Sequence, residues 1–341
     1  MKQKYLQFIK GKSFLITGGT GSFGKSITTE LLKYHPKIIK IYSRSEDKQE
    51  QMKYQFRNNN GLLFILGDVR DLDQLTRAME GVDYVFHAAA QKQVPGTEHN
   101  VLEAVKTNVL GAQNVIDASR FSTVKKAIAI STDKAVEPIN AMGMTKAIQE
   151  RLFVHSGMTL QTRKIAFSCV RYGNVLGSTG SVLPLFLHQL AHREPLTLTN
   201  RQMTRFIITL DQAVDLVLTA LADSVGGEIF IPKIPSHLLS DLAESVIEMF
   251  PQKKGRVIVS GIRIGEKIHE TLMTPNERVT SIEKSGYYIV LPAISNREIE
   301  KKFSIEPKGI FQAFSSDKAE MLAKPQLKKI LEHNILVKNF T

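Results

Sequence analysis

The sequence predicts an α/β protein built on a doubly wound parallel sheet, with a second, smaller lobe in its C-terminal half. Short apolar runs alternate with amphipathic stretches over residues 1–135, and a glycine-rich turn follows the first of these runs. After Arg171 the alternation stops and glycine-containing turns follow. Because strand–helix–strand units at short spacing form right-handed parallel crossovers, we expect the first part of the chain to form one twisted sheet covered by helices.

The apolar periodicity predicts the elements in order. The predicted strands are Ser13–Thr17, Ile38–Tyr42, Leu63–Leu66, Tyr84–His87, Lys126–Ser131 and Ile165–Arg171. The predicted helices are Gly24–Lys33, Asp47–Phe56, Leu72–Met79, Val101–Ser119, Ala141–His155, Leu183–His192 and Asp211–Ala222. Turn signals at residues 173–174, 177–178 and 180–181 separate the last parallel strand from the next helix. Residues 236–283 are expected to form a small cap.

The composition is that of a globular protein, since 43% of the 341 residues are hydrophobic and 23% are charged. No apolar run reaches the ~20 residues needed to span a bilayer, and residues 1–10 contain no signal-peptide core. We therefore expect a cytoplasmic protein without membrane contacts. The single cysteine, Cys169, excludes an internal disulfide and argues against a cysteine-based metal site, and no metal is expected.

The net charge of +12 has three interpretations: nucleic-acid binding, attraction of a phosphate-bearing substrate, or a lysine-rich proteome. The lysines are spread along the chain instead of forming a patch, and tryptophan is absent. Since a nucleic-acid interface requires a clustered basic surface, we expect no nucleic-acid partner.

The glycine-rich turn between the first strand and the first helix predicts a dinucleotide site. Gly18, Gly21 and Gly24 have the G-x-x-G-x-x-G spacing. Glycines here permit the tight turn and let the backbone approach a pyrophosphate, which binds at the helix N-terminus in a Rossmann fold. The predicted cofactor site also includes the intervening residues Thr20, Ser22 and Phe23.

The end of the second predicted strand distinguishes NADP from NAD. An NAD-binding protein is expected to have an acidic residue about 20 residues after the glycines, bonded to the ribose 2′-hydroxyl. This chain has Ser43 and Arg44 there, with Lys48 one turn later. Because a guanidinium suits a 2′-phosphate, the sequence predicts NADP, with NAD as the alternative. The rest of the predicted cofactor path is Asp68 and Val69 at the adenine edge, and Ala88 and Ala89 where the cofactor passes over backbone.

The segment after the fifth predicted strand carries the candidate catalytic residues. Thr132-Asp133-Lys134 ends the strand, and Lys146 lies one helical turn after Met142. In a nucleotide-binding oxidoreductase a tyrosine would stand at the position of Met142, but a thioether can neither donate nor accept a proton at neutral pH. Asp133 and Lys134 are therefore the candidates for proton transfer, and Lys146 is placed to hold the nicotinamide ribose hydroxyls.

The neighbouring carboxyl and amine suggest chemistry beyond hydride transfer, namely removal of a proton beside a carbonyl and protonation of a leaving hydroxyl. Lys134 can act as a base only if burial or a cationic neighbour such as Lys146 lowers its pKa toward neutrality. A solvated Asp133–Lys134 pair at the surface is the alternative interpretation.

These motifs resemble the extended short-chain dehydrogenases and, among them, the UDP-N-acetylglucosamine 4,6-dehydratases of bacterial surface-sugar synthesis. The resemblance covers about residues 10–290. Residues 227–236 and the Thr-Asp-Lys run look most like the 5-inverting branch, and some capsule-sugar members also have Met in place of Tyr. The matching runs are Ile16–Lys25, Gly67–Asp71, His87–Pro95, Lys106–Asn108, Ser131–Ala135, Arg171–Val175, Met203–Phe206 and Gly261–Glu270.

The resemblance implies a reaction and roles for residues. NADP⁺ takes hydride from carbon 4 of UDP-N-acetylglucosamine (UDP-GlcNAc) and returns it to carbon 6, Lys134 removes the carbon 5 proton, and Asp133 protonates the leaving hydroxyl. The product is UDP-2-acetamido-2,6-dideoxy-L-arabino-hex-4-ulose. Thr132 would bond the 4-hydroxyl, whose proton goes to Asp133 directly or through water. The other implied residues are Lys92 and Asn108 at the cofactor, and Lys92, Asn174, Arg205, Arg263 and Glu266 at the substrate, with both arginines on the diphosphate.

With these assignments, residues 1–180 form the dinucleotide-binding domain and residues 200–235 pack back on it. Residues 181–199 and 236–341 form the substrate-binding lobe. The resemblance also implies a homo-oligomer, a dimer or hexamer. Where the family commonly has Arg, this chain has Thr179, so one cationic contact is missing.

Three alternatives stay open from the sequence. The first two are a retaining 4,6-dehydratase and a nucleotide-sugar epimerase, although an epimerase would leave Asp133 and Lys134 without a task. The third is a non-catalytic, NADP-sensing protein, because a fold does not determine a function.

Overall fold

The computed structural model describes residues 3–159, 165–293, 297–303 and 312–340. The parts of the predicted domains that fall between and beyond these ranges lie outside the described residues. The strands are β1 (Ser13–Thr17), β2 (Ile38–Ser43), β3 (Leu62–Leu66), β4 (Tyr84–His87), β5 (Lys126–Thr132), β6 (Ala166–Tyr172), β7 (Asn174–Val175), β8 (Leu196–Leu198), β9 (Thr204–Ile208), β10 (Ile229–Pro232), β11 (Ser236–Leu238), β12 (Val257–Val259), β13 (Thr271–Met273), β14 (Ser281–Lys284), β15 (Tyr287–Val290) and β16 (Phe314–Ser315).

The helices cover both faces of the sheet and build the second lobe. They are α1 (Gln3–Ile9), α2 (Ser22–Leu32), α3 (Glu46–Gln55), α4 (Leu72–Ala78), α5 (Val94–His99), α6 (Val101–Ala104), α7 (Gly111–Arg120), α8 (Ala141–Thr159), α9 (Val182–Ala191), α10 (Leu210–Asp223), α11 (Leu239–Met249), α12 (Pro275–Val279), α13 (Arg297–Lys302), α14 (Lys324–Glu332) and α15 (Ile335–Lys338). A π-helical turn spans Val105–Leu110, and 3₁₀ turns span Asp133–Ala135 and Pro251–Lys253.

A nine-stranded sheet forms the first lobe, with the order β14-β15-β10-β6-β5-β4-β1-β2-β3. Seven strands of this sheet pair in parallel, in the order β10, β6, β5, β4, β1, β2 and β3. The strands β15 and β14 are added antiparallel at the β10 edge. The predicted doubly wound α/β fold is confirmed. Because the strand order reverses between β1 and β4, the carboxyl ends of these strands border a crevice where such folds bind ligands.

The central strands of the large sheet are apolar because they lie in the core of the first lobe. Every residue of β1, β4 and β6 is buried, as expected for strands with helices on both faces. Helix α10 packs on α2, β5 and β6, and a capping box at Thr209 and Gln212 fixes its start.

The second lobe has a separate apolar core, formed by α9, α11 and α14 with the short strand β8. Phe186, Leu242 and Leu331 are among its fully buried side chains. The boundary predicted for this lobe, residues 236–341, is too wide, because β14 and β15 extend the large sheet. Their antiparallel pairing lies outside the strand–helix rhythm on which the domain boundary was based.

The helix predicted for Val101–Ser119 is interrupted. Helix α6 ends at Ala104, the π-helical turn follows, and α7 begins at Gly111. A π turn inserts an extra residue into the helical repeat and is frequent near functional sites. Here it contains Asn108, a residue of the predicted cofactor site.

Candidate active site

One cavity of about 1220 Å³ lies between the two lobes at the carboxyl ends of the parallel strands. Its volume exceeds the upper end, about 1,000 Å³, of ordinary small-molecule sites and leaves room for a dinucleotide and a second ligand. Most predicted site residues line it: Gly18, Thr20, Gly21, Ser22, Phe23, Gly24, Ser43, Arg44, Lys48, Val69, Ala88, Ala89, Lys92, Thr132, Lys134, Met142, Lys146, Asn174, Arg205, Arg263 and Glu266. Of the described residues predicted for the site, Asp68, Asn108 and Asp133 lie behind this lining.

The glycine-rich turn has the geometry that a pyrophosphate cradle requires. Gly18 has a φ of +65°, and a Cβ there would lie 2.7 Å from the backbone nitrogen of Ala89. A Cβ on Gly24 would lie 2.2 Å from the carbonyl oxygen of Gly19, so this glycine permits the close packing of α2. At Gly21, by contrast, a Cβ would meet only the Gly18 carbonyl oxygen within 4 Å and would otherwise fill open space in the cavity. That open space suits a phosphate group at the helix N-terminus.

The loop that contains Thr179 is hydrogen-bonded to the glycine-rich turn. The Ser22 and Thr179 hydroxyls are 3.0 Å apart, and the Thr179 amide donates to Ser22 Oγ at 3.2 Å. Lys92 Nζ donates to the Thr179 carbonyl oxygen at 2.6 Å. Thr179 therefore links the glycine-rich turn to Lys92.

At the end of the cavity near β2, an exposed arginine lies beside a carboxylate. Arg44 and Lys48 are exposed after β2, and Arg44 Nη1 is 3.6 Å from Asp68 Oδ2. Asp68 also accepts two hydrogen bonds from the Arg70 guanidinium. Although burial alone raises the pKa of Asp68, the bonds from Arg70 lower it overall, so this group is a fixed anion. The side chain predicted to contact adenine is thus held by arginines.

Asn108 supports the site from behind. Its side chain is fully buried, accepts from the Gln91 amide at 2.8 Å and donates to the Gln91 carbonyl at 3.0 Å. It also donates to Thr145 Oγ1 on α8 at 2.9 Å. Asn108 therefore fixes the segment after β4 against α8, a positioning role that differs from the predicted contact with the cofactor.

Met142 and Lys146 face the cavity from the first turns of α8. Met142 is 5% exposed, so it occupies the position expected for a tyrosine as a packed side chain. Lys146 Nζ donates to the Ile130 carbonyl and to Gln149 Oε1, and burial lowers the pKa of Lys146 to about 8.

The candidate acid, base and hydroxyl groups lie together at the end of β5. Lys134 Nζ donates to Asp133 Oδ1 at 3.0 Å and to Asn174 Oδ1 at 3.3 Å, and it lies 3.2 Å from Glu270 Oε1. Thr132 Oγ1 donates to the same Asp133 oxygen at 2.9 Å. Asp133 and Glu270 are both buried, and the second oxygen of each has no partner among the described residues.

The charge of Lys134 differs from the sequence prediction. Burial alone lowers the pKa of Lys134, as a base requires, but the charges of Asp133 and Glu270 raise it above its ordinary value. Lys146 was predicted to lower this pKa, whereas the positive charge that does so here belongs to Arg205. Lys134 is therefore an ammonium group in this structure.

Arg205 is held by backbone carbonyl groups of its own strand and of the segment before β13. Its Nη1 donates to the carbonyls of Thr204 and Ile268, and its Nη2 donates to that of Lys267. Nη2 also lies 3.7 Å from Glu266 Oε1. Arg205 thus fixes the segment before β13, which differs from the predicted grip on a diphosphate. Arg263, the other predicted diphosphate ligand, is exposed.

The sequence reasoning missed two residues of the segment before β13, Lys267 and Glu270. Both line the cavity, and Lys267 Nζ donates to the Val136 carbonyl at 2.6 Å. The signal available was the run Gly-Glu-Lys-Ile-His-Glu at residues 265–270, which concentrates charge directly before a strand. Its partners at the end of β5 are distant in sequence, so the contact could not be inferred from spacing.

Comparisons with known proteins find relatives over most of the chain. The model of a family described as polysaccharide biosynthesis protein matches residues 14–292. A UDP-N-acetylglucosamine 4,6-dehydratase (inverting) from Campylobacter jejuni is 46% identical over 301 residues, 88% of each chain. A UDP-glucose 4-epimerase from Rickettsia prowazekii is 44% identical over 281 residues, 81% of this chain and 82% of that protein.

The solved structure of Pen from Bacillus thuringiensis superimposes with a TM-score of 0.88 at 37% identity, covering 96% of this chain and 100% of that one. A relative from Methanocaldococcus jannaschii, 43% identical over 97% of this chain and 98% of its own, is named an uncharacterized membrane protein. Among the described residues of this chain, no helix is both long and apolar enough to cross a membrane.

The family match covers most of the chain, and the relatives named as dehydratase and epimerase align over more than four-fifths of it. The chain therefore belongs to the polysaccharide biosynthesis protein family of nucleotide-sugar dehydratases and epimerases.

Proposed function

We propose that the protein is a UDP-GlcNAc 4,6-dehydratase that inverts carbon 5 and makes UDP-2-acetamido-2,6-dideoxy-L-arabino-hex-4-ulose for a bacterial surface glycan. The observation that carries the proposal is the Asp133–Lys134 pair, which lies beside the cofactor cradle. Proton removal beside a ketone and loss of a neighbouring hydroxyl need such an acid and base. The inverting dehydratase from Campylobacter jejuni supports the choice of substrate and stereochemistry.

The proposed cofactor is NADP. When bound, it takes the electron pair of the carbon 4–hydrogen bond as hydride and later returns it to carbon 6. The glycine-rich turn holds the pyrophosphate, and Arg44 with Lys48 holds the 2′-phosphate. Lys146 bonds the nicotinamide ribose hydroxyls from α8. Because both Arg44 and Lys48 are exposed, they are free to turn toward a phosphate.

The proposed substrate lies in the same cavity, between the end of β5 and the segment before β13. Thr132 bonds the 4-hydroxyl, Asn174 orients the sugar, and Arg263 binds the diphosphate with charge-assisted hydrogen bonds. Arg205 keeps the segment of Glu266 in place from behind. Lys92 lies close enough to the glycine-rich turn to serve the phosphates of either ligand.

Two alternatives remain within the same family. A retaining dehydratase would return the proton to carbon 5 from the face it left, and an epimerase would invert carbon 4 without losing water. The name of the Rickettsia prowazekii relative supports the second. The buried ion pair of Asp133 with Lys134 favours a dehydratase, because epimerisation at carbon 4 requires neither an acid for a leaving hydroxyl nor a base at carbon 5.

We also propose that the chain forms a homo-oligomer. Apolar side chains are exposed on the neighbouring helical segments α6, the π turn and α8, which contact one another. Leu102 is 65% exposed, Leu110 53% and Met144 49%. Exposed apolar side chains grouped on neighbouring helices are typical of a protein interface.

The test is incubation of the purified protein with NADP⁺ and UDP-GlcNAc, followed by mass spectrometry and proton NMR. We expect loss of one water and the L-arabino configuration. Lys134→Ala should abolish deuterium uptake at carbon 5 in D₂O, whereas Lys284→Ala, an exposed lysine on β14, should not change it. A D-xylo ketosugar would instead identify a retaining enzyme, an isomer of unchanged mass an epimerase, and no conversion a non-catalytic protein.

A further inference from the structure

The ion pair between Lys134 and Glu270 is unused by the chemistry proposed above. Lys134 Nζ donates to Asp133 Oδ1 at 3.0 Å and to Asn174 Oδ1 at 3.3 Å, and it forms an ion pair with Glu270, whose Oε1 lies 3.2 Å away. Between two carboxylates Lys134 is an ammonium group, and an ammonium group has no lone pair with which to remove a proton. Lys134 must therefore lose a proton before it can act as the carbon 5 base.

The three neighbours differ in their ability to take this proton. The amide oxygen of Asn174 is not a proton acceptor at neutral pH. Asp133 is already needed, since it receives the proton of the 4-hydroxyl and later gives it to the leaving hydroxyl. Glu270 is the carboxylate that remains, and its Oε2 has no partner among the described residues.

We propose that Glu270 is a positioning residue that accepts the proton of Lys134 and thereby converts Lys134 into the carbon 5 base. This inference rests on the proposed dehydratase function. Glu270 acts through Lys134 and does not itself react with the sugar.

The protons balance over one turnover. Lys134 passes one proton to Glu270 and takes the carbon 5 proton, and the electron pair of that carbon–hydrogen bond forms a second bond between carbons 5 and 6. The carbon 6–oxygen bond breaks as Asp133 gives its proton to the departing hydroxyl, which leaves as water. Hydride returned to carbon 6 then breaks this second bond and leaves its electron pair on carbon 5, which takes a proton from solvent. Glu270 releases its proton to solvent, and the starting charges of all three groups return.

The backbone holds Glu270 independently of its carboxyl group. The Glu270 amide donates to Ser316 Oγ at 2.9 Å, and the Ser316 amide donates to the Glu270 carbonyl at 2.8 Å. Ser316 Oγ is in turn 2.6 Å from Thr204 Oγ1. A glutamine at position 270 keeps all of these contacts and has nearly the same volume, so the fold should tolerate it.

Other charged groups surround the pair and must be included in any pH dependence. Arg205 Nε lies 4.0 Å from Glu270 Oε1, and Lys267 lies close to the carboxylates of both Glu270 and Asp133. The charged groups that act directly on Lys134 or Glu270 are Asp133, Arg205 and Lys267. The titratable groups next to these are Glu137, Glu266 and His269. Because all of these stay in place in a Glu270→Gln variant, a change in its pH profile reports the pair itself.

The experiment is a single turnover with UDP-GlcNAc and NADP⁺, followed by two readouts. Absorbance of the reduced nicotinamide reports oxidation at carbon 4, and quenched mass spectrometry reports water loss. In Glu270→Gln we expect oxidation at nearly the normal rate and water loss slowed about a hundredfold at neutral pH. Without this acceptor Lys134 must lose its proton to solvent, so water loss should rise with pH by up to about tenfold per unit.

Two further variants sharpen the outcome. Glu270→Asp keeps a carboxylate and should recover at least about a tenth of the water-loss rate, since a one-methylene shift costs less than the loss of the acceptor. Glu283→Gln, which removes an exposed carboxylate paired with Lys233, should match the unchanged protein.

The results separate this proposal from the one on which it depends. If the unchanged protein releases no water, the dehydratase function fails and the Glu270 proposal fails with it. If the unchanged protein releases water but Glu270→Gln does so at the same rate and with the same pH profile, Glu270 is not the acceptor. Slow water loss that no pH restores, or an equal loss of carbon 4 oxidation, would also overturn the proposal, because it would show a purely structural role.

Discussion

Lys146 Nζ on α8 lies 2.6 Å from the carbonyl oxygen of Ile130 on β5. A second hydrogen bond joins it to Gln149 Oε1 at 2.8 Å. These two bonds fix the ammonium at the cavity wall, but Lys146 is only 5% exposed, and burial lowers its pKa to about 8. Lys146 is therefore mostly charged below about pH 8 and mostly neutral above it.

We predict that NADP affinity falls as the pH rises through about 8. If only the charged form of Lys146 binds the ribose hydroxyls, the dissociation constant should increase about tenfold between pH 7 and pH 9. Fluorescence titration with NADPH measures it. Lys146→Met should bind weakly at every pH and lose this dependence.

The matched control is Lys126, whose pKa burial also lowers to about 8 but whose ammonium bonds carbonyls at the end of α10. Lys126→Gln should keep the pH dependence of the unchanged protein. A profile that becomes flat in Lys126→Gln, or stays steep in Lys146→Met, would contradict the assignment.

Arg44 should determine the choice between NADP and NAD. Its guanidinium is exposed and only 3.6 Å from the Asp68 carboxylate, a surface pair of low strength that a 2′-phosphate can displace. Arg44→Ala should weaken NADP binding by about 1.5–3 kcal/mol, the strength of a hydrogen bond to a charged group, and leave NAD binding nearly unchanged.

Isothermal titration with both cofactors checks this, and Arg57→Ala, another exposed arginine of the first lobe, serves as the control. Equal weakening of NAD and NADP would show that Arg44 contacts a group that the two cofactors share.

The predicted strands of the large sheet agree with β1 to β6 to within one residue at each end, because each is a short, mostly apolar run that ends at a turn signal. The edge strands β14 and β15 were missed since they pair antiparallel, outside the strand–helix rhythm. The π turn at Val105–Leu110 was missed because its sequence keeps ordinary helical periodicity.

For the site, the sequence predicted which residues would meet but not how they would share protons. The cofactor cradle is local in sequence, so its glycine spacing was sufficient. The environment of Lys134 depends on Glu270, which is 136 positions later and reaches the site through the contacts of Arg205 and Ser316. A tertiary contact of this kind leaves no spacing signal.

Met142 should be replaceable by tyrosine. Its position on α8 faces the cavity, and Asp133 is the proposed acceptor of the 4-hydroxyl proton. Met142→Tyr should therefore leave turnover within about tenfold, or ~1.4 kcal/mol of barrier. The control is Leu63→Tyr on the edge strand β3, where the side chain is 43% exposed. A loss of several orders of magnitude in Met142→Tyr alone would show that Met142 has a specific packing role.

Arg171 should be the main electrostatic support of the wall that carries Glu270. Its Nε and Nη2 form two hydrogen bonds with Glu150 on α8, at 2.9 and 2.6 Å, and Nη1 donates to the Leu272 carbonyl on β13. Nη2 also bonds Glu277 on α12 at 2.8 Å. The buried guanidinium thus joins α8 to the strand that directly follows Glu270.

Arg171→Met should destabilise the protein by about 3–5 kcal/mol, because it leaves the carboxylate of Glu150 buried without a counter-charge. Urea unfolding measures the change, and adding Glu150→Leu should restore part of the loss, since only the partly exposed carboxylate of Glu277 then lacks its counter-charge. If the double variant is less stable than Arg171→Met, the packing of the two side chains outweighs their charges.

The same contacts predict that the free energy of unfolding falls at acid pH. Although burial alone raises the pKa of Glu277, the charge of Arg171 and its hydrogen bonds lower it below 4.5, the ordinary value. A carboxyl group with a depressed folded-state pKa contributes stability that is present above its unfolded pKa and is lost as the pH falls through the folded value. The free energy of unfolding should therefore decline below about pH 4.5 in the unchanged protein. It should decline less in Arg171→Met, whose Glu277 has lost the charge that depressed its pKa. Parallel decline in both proteins would assign the acid sensitivity to other groups.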